Sequence, residues 1–130
     1  MTAGEPQLPL SPTGTQLGTV SAEFLDGLAL VSVDGEHDLS TRSKLEQALE
    51  RAVVHTRVIV DLSSCGFIDS TAITTIIKAA QTVHVRGGRL IAVIPPTQAH
   101  LLRVAHMLHL AEIFAIAPSR ADALALHLEG

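Results

Sequence analysis

Phe67-Ile68-Asp69-Ser70-Thr71-Ala72-Ile73 sets a serine where an extended segment gives way to a helix, and the rest of the chain reads outward from it. Before it, Arg57-Val58-Ile59-Val60-Asp61-Leu62 is short, apolar and β-branched, the composition of a buried strand. After it, Ile73, Ile76, Ile77, Ala80 and Val83 or Val85 recur at helical spacing. Ser70 is therefore predicted at or beside the helix N-cap, its hydroxyl near the first free backbone amides. A serine there is by itself an ordinary cap, so any function has to be argued from its surroundings.

The same patterning places the other elements. A strand at 17–24 turns through Leu25-Asp26-Gly27 into a second strand at 28–33, forming a hairpin. A helix at 41–54 buries Leu45, Ala48, Leu49, Ala52 and Val53 along one stripe, capped by Ser40 or Thr41. Gly87-Gly88 ends the helix that follows Ser70, and a strand runs over 89–94. Pro95-Pro96-Thr97 opens a third helix with Leu101, Val104, Ala105 and Leu108 facing inward. A short strand at 113–117 leads to a last helix capped by Ser119 and running through Leu124 and Leu128. Strand, helix and strand in alternation imply right-handed crossovers and parallel pairing after the hairpin. The first 16 residues, rich in Pro, Gly, Ser and Thr, read as a disordered lead to one domain over 17–130.

Composition narrows the function classes. With 47% hydrophobic residues, no Trp or Tyr and three Phe, the core must be built from Ala, Val, Ile and Leu. A net charge of −4 argues against a nucleic-acid binder, which carries a basic face. The single cysteine excludes an internal disulfide and suits a reducing compartment. No apolar run approaches the roughly 20 residues of a membrane helix, and no basic, apolar leader opens the chain. The expectation is a cytoplasmic protein with no membrane partner.

Asp61-Leu62-Ser63-Ser64-Cys65-Gly66-Phe67-Ile68-Asp69-Ser70 resembles the signature of STAS domains, specifically the bacterial anti-sigma factor antagonists. In that family a strand ending in Asp-Leu leads through a short loop to Phe-Ile/Met-Asp-Ser-Ser/Thr-Gly. Val33-Asp34-Gly35-Glu36-His37-Asp38-Leu39-Ser40 is similar to the family's Gly-Glu-Leu-Asp segment, and Arg86-Gly87-Gly88-Arg89-Leu90-Ile91-Ala92-Val93 to its Gly-Gly turn into a strand. The resemblance covers about 18–128, with Thr71 in place of the usual second serine and Ala72 in place of the usual glycine. It implies a single α/β STAS-like domain whose mixed sheet has an N-terminal antiparallel hairpin, then parallel strands, with helices packed largely on one side.

The same resemblance implies a non-enzymatic regulator of sigma-factor-dependent transcription in partner switching and stress response. Its partners would be an anti-sigma factor that is also a serine kinase and a PP2C-type phosphatase. Ser70 would be the phosphorylated residue that switches binding off, with Asp38, Asp69 and Thr71 completing the partner-binding rim. Both carboxylates also have a plainer reading as helix caps.

Other constellations carry less. Ser70 with His37 and Asp38 or Asp69 could be a hydrolytic triad, but Ile68 and Ala72 occupy the glycine positions of a nucleophile elbow. His37 and Asp38, adjacent on a strand, would also point to opposite faces. An unswitched STAS scaffold or small-ligand module is the remaining alternative. His100, His106 and His109 lack a completing cysteine or carboxylate for a metal. Gly87-Gly88 follows a helix, the reverse of a phosphate loop. Cys65 reads as a half-buried loop residue. No cofactor is implied.

Overall fold

The computed structural model describes residues 19–37 and 42–129, so the N-terminal lead, Asp38 and the Ser40 or Thr41 cap lie outside the described residues. The elements are β1 (Thr19–Leu25), β2 (Leu28–His37), α1 (Arg42–Ala52), β3 (Arg57–Asp61), β4 (Cys65–Ile68), α2 (Ser70–Val85), β5 (Arg89–Val93), α3 (Ala99–Met107), β6 (Ala115–Ala117) and α4 (Arg120–Glu129). The sheet runs β1-β2-β3-β5-β6, antiparallel between β1 and β2 and parallel thereafter. This is the mixed α/β domain expected from the sequence.

Sheet register decides which side chains meet which helices. Ala29, Val31 and Val33 of β2, Val58 and Val60 of β3, and Leu90 and Ala92 of β5 pack against α1, α2 and α3. The alternate residues Ile59, Ile91 and Val93 form a smaller cluster with Ala117 of β6 and Ala123 of α4 on the opposite face. Both faces of β3 and β5 are thus covered, which is why their sequences are unbroken apolar runs and not alternating ones. Three helices cover one face and a single helix the other, matching helices largely on one side.

Several details differ from the sequence reading. Residues 65–68, read as loop, form β4, which pairs in parallel with the upper part of β2 past an irregularity at Gly35 and Glu36. Gly35 takes φ +79 there, in the left-handed region that glycine enters without strain. Cys65 is accordingly fully buried in a strand, not half-buried in a loop. Leu108 is exposed because α3 stops at Met107 and His109 turns the chain at φ 55, so that Leu110 enters the core instead. His109 is therefore outside the helix that carries His100 and His106. The last strand starts later than expected because the Ile113 and Phe114 amides both donate to the Leu110 carbonyl, at 2.9 and 3.0 Å, and stay in the turn that follows α3.

The Gly87-Gly88 turn ends α2 as anticipated: the Gly88 amide donates to the Val83 carbonyl at 2.8 Å and the Gly87 amide to His84 at 2.9 Å. A Cβ at Gly88 would collide with the Thr56 backbone. Ser119 caps α4 by accepting from the Asp122 amide at 3.1 Å.

Candidate functional site

The chain leaves β4 and enters α2 across one residue, Asp69. With φ −87 and ψ 171, its backbone is still extended, and its carboxylate accepts from the Ala72 amide at 2.8 Å. Asp69 is therefore the N-cap, and Ser70 is the first helical residue. Ser70 thus lies beside the N-cap, one of the two expected placements, but Asp69 and not the Ser70 hydroxyl bonds the cap amide. Ser70 is exposed, and its hydroxyl has no hydrogen-bond partner among the described residues.

The neighbours separate by face. Thr71 is half-buried, and its carbonyl accepts from the Thr75 hydroxyl at 3.0 Å. Ala72 is only 2% exposed and belongs to the core beneath the sheet-facing side of α2. The methyl that distinguishes it from the family's glycine thus points away from the surface on which Ser70 stands. Phe67 of β4 is 43% exposed, a large apolar side chain three residues before Ser70 that the sequence reading did not single out. Asp38, the fourth residue of the expected rim, lies outside the described residues.

The segment that delivers Ser70 is held from several elements. Asp61, at the end of β3, accepts from the Ser63 amide at 2.9 Å and from the Ser63 hydroxyl, closing a tight turn. Arg120, from the first turn of α4, bonds the same carboxylate and donates to Ser32 of β2 at 2.9 Å. Burial pushes the Asp61 carboxyl up, but Ser63 and Arg120 outweigh it and hold the group below its ordinary value. Gln98, just ahead of α3, donates from Nε2 to the Ser63 carbonyl at 2.7 Å and lies 3.1 Å from that of Cys65. The Gly35 amide donates to Ser64 at 2.9 Å.

Cys65 completes this scaffold. Its thiol donates to the Phe67 carbonyl at 3.4 Å, and burial pushes its pKa up to about 11. Gln98 and Arg120 lie 35 and 59 residues from their partners, so no local pattern announces them. The Asp61-x-Ser63 spacing is the one part of this network visible in sequence.

Chemically, the arrangement offers a hydroxyl with no partner among the described residues, at the positive end of a 16-residue helix, beside the Asp69 carboxylate and the exposed Phe67 ring. A phosphate on Ser70 would sit where first-turn amides and the helix dipole favour an anion.

Known proteins share this construction. A model of the STAS domain family matches residues 19–123. An anti-sigma factor antagonist from Mycobacterium paratuberculosis is 29% identical, with a TM-score of 0.70 over 86% of this chain and 95% of that one. The Bacillus cell fate determinant SpoIIAA in its phosphorylated form is 18% identical, with a TM-score of 0.64 over 82% of this chain and 97% of its own. The anti-sigma factor antagonist SpoIIAA in its unphosphorylated form is 14% identical, with a TM-score of 0.64 over 86% and 99%. At those identities the two SpoIIAA structures speak for the fold alone. Matched along nearly all of its described length and built on the same mixed sheet, this chain belongs to the STAS domain family.

Proposed function

We propose that this protein is an anti-sigma factor antagonist that binds an anti-sigma factor and is released from it by phosphorylation of Ser70. The observation that carries the reading is the exposed Ser70 hydroxyl at the start of α2, unbonded among the described residues, on a segment fixed by Asp61, Gln98 and Cys65. Its family and its 29% identical relative support the partner class. The protein acts in the cytoplasm as a binding module and kinase substrate, the chemistry being done by an anti-sigma factor serine kinase and a PP2C-type phosphatase.

Phosphorylation adds about −1.5 to −2 charge beside Asp69 and, in the expected rim, Asp38. The helix terminus accommodates that charge locally, so the domain stays folded while like-charge repulsion weakens the docked complex. Thr71 and Phe67 contribute contact surface next to the switch. The inward-facing Ala72 favours a working switch over an unswitched scaffold, because its methyl does not obstruct a partner approaching Ser70.

A pull-down from the native cytosol with wild type, Ser70→Ala and Ser70→Glu, followed by in vitro phosphorylation with the captured kinase, tests the reading. Wild type and Ser70→Ala should retain the same partner, Ser70→Glu should lose it, and phosphate should map to Ser70. Phosphate on Thr71, or equal retention of all three variants, would overturn it.

A further inference from the structure

At the end of the domain opposite Ser70, a cleft of about 440 Å³ opens between the C-terminal turns of α2 and α4. Arg57 and Arg89, the first residues of β3 and β5, are register partners in adjacent parallel strands, about 4.8 Å apart along the sheet. They alternate with Val58 and Leu90, so both point to the face that α4 covers. His84 of α2, His127 of α4, Thr56 and the Gly87-Gly88 turn complete the walls.

No carboxylate lines this cleft among the described residues. Glu112, in the adjoining groove, is engaged by His109 at 3.5 Å. Two guanidinium groups side by side repel one another, and like charges facing across strands destabilise a sheet. Their positions are nevertheless fixed. Arg57 Nη2 donates to the Asp26 carbonyl at 3.4 Å, and Arg89 Nη1 to the Leu126 carbonyl at 3.2 Å. Among the described residues each uses one of five donors in this way and keeps the rest.

His127 forms the wall on the α4 side. Only 7% exposed, its Nε2 lies 3.2 Å from the Val58 carbonyl. A carbonyl oxygen only accepts, so Nε2 carries a proton and ties the ring to β3. The cleft therefore sets two cationic forks beside a wall held in place by His127.

We propose that this cleft binds a small phosphate-bearing ligand, a phosphate monoester dianion held between Arg57 and Arg89. Three phosphoryl oxygens can satisfy two forks, and bidentate guanidinium contacts are the preferred way of holding such a group. A carboxylate brings one negative charge against two guanidinium groups and one oxygen fewer for their donors. The glycine turn is not a phosphate loop, because its amides are already donated to Val83 and His84. The site is separate from the switch: α2 spans about 24 Å between them at 1.5 Å per residue.

Titration of the isotopically labelled protein with glycerol 3-phosphate, followed by amide and imidazole NMR shifts, tests the site. Saturable shifts centred on residues 56–58, 87–90 and the His127 ring are expected, with chloride at matched ionic strength giving none. Arg57→Gln and Arg89→Gln, on different strands, should each weaken binding about tenfold while remaining folded by circular dichroism, and Ser70→Ala should leave it unchanged. Shifts that grow linearly without saturation, that centre on the start of α2, or that persist unaltered in both arginine variants overturn the site. Pelleting with phosphatidic acid vesicles without saturable binding of glycerol 3-phosphate overturns a soluble ligand.

Discussion

At the residue scale, the division of labour between Asp69 and Ser70 has a measurable consequence. Asp69 caps α2 through the Ala72 amide, whereas Ser70 contributes no side-chain hydrogen bond among the described residues. Asp69→Ala should therefore lower stability by about 0.5–2 kcal/mol, and Ser70→Ala by less than about 0.5 kcal/mol. Denaturant melts of the two variants check the order, which reverses if Ser70 is the cap. Asp and Ser are both good caps, and which one serves depends on where the backbone leaves the extended region. The sequence could locate this junction only to within one residue for that reason. Cys65 makes a second contrast. With its thiol pushed up to about 11 by burial, it should resist iodoacetamide at pH 8 in the native protein and react readily once denatured. Native labelling as fast as denatured labelling would mean that β4 opens freely.

At the scale of elements, β4 was the strand that patterning could not reveal. Four residues including Gly66 carry too little periodicity, and the strand exists because β2 extends past Val33 to offer it an edge. By contrast, β3, β5 and α2 were legible because their burial is continuous or strictly helical. Within α2, Ile76 is 2% exposed and faces the sheet, so Ile76→Ala should cost about 2–5 kcal/mol by leaving a cavity. An unchanged melting curve for that variant would sink the packing assigned to α2. On the other face, α4 carries a pH-dependent element. Burial, followed by the Arg89 and Arg57 charges, keeps His127 below its ordinary 6.5 despite the Val58 hydrogen bond. The unfolded chain thus takes up this proton first as the pH falls. The stability linked to His127 is complete above about pH 6.5 and declines below it toward the folded-state value. Thermal melts in phosphate-free buffer from pH 8 to 5 should show this decline, and His127→Gln should flatten it. Equal slopes in the two proteins would remove His127 as its source.

At the scale of the molecule, the sheet joins two ends with different chemistry: the Ser70 segment, the proposed switch segment, at the carboxyl ends of β3 and β4, and the arginine pair at the amino ends of β3 and β5. The order of elements and the parallel sheet followed from alternating strand and helix patterns, because each apolar run reports its own burial. The ties that stiffen the switch segment did not, since Arg120, Gln98 and Gly35 reach Asp61 and its following turn from three distant parts of the chain. Those ties bear on how a phosphate on Ser70 would be transmitted. Asp61 is anchored to α4, Cys65 is buried, and Asp69 fixes the first turn of α2, so the described segment from Asp61 to Ser70 is held at both ends. Phosphorylation should accordingly shift amide resonances of β4 and the first turn of α2 while leaving α4 and the β5–β6 edge unchanged. If Ser70 is the switch proposed above, calorimetry on the same samples should show a large loss of affinity for the anti-sigma factor, because the added charge would act directly at the docked surface. Shift changes spread through α4 would instead mean that the switch works by refolding the domain, and unchanged affinity would mean that charge at Ser70 does not control docking.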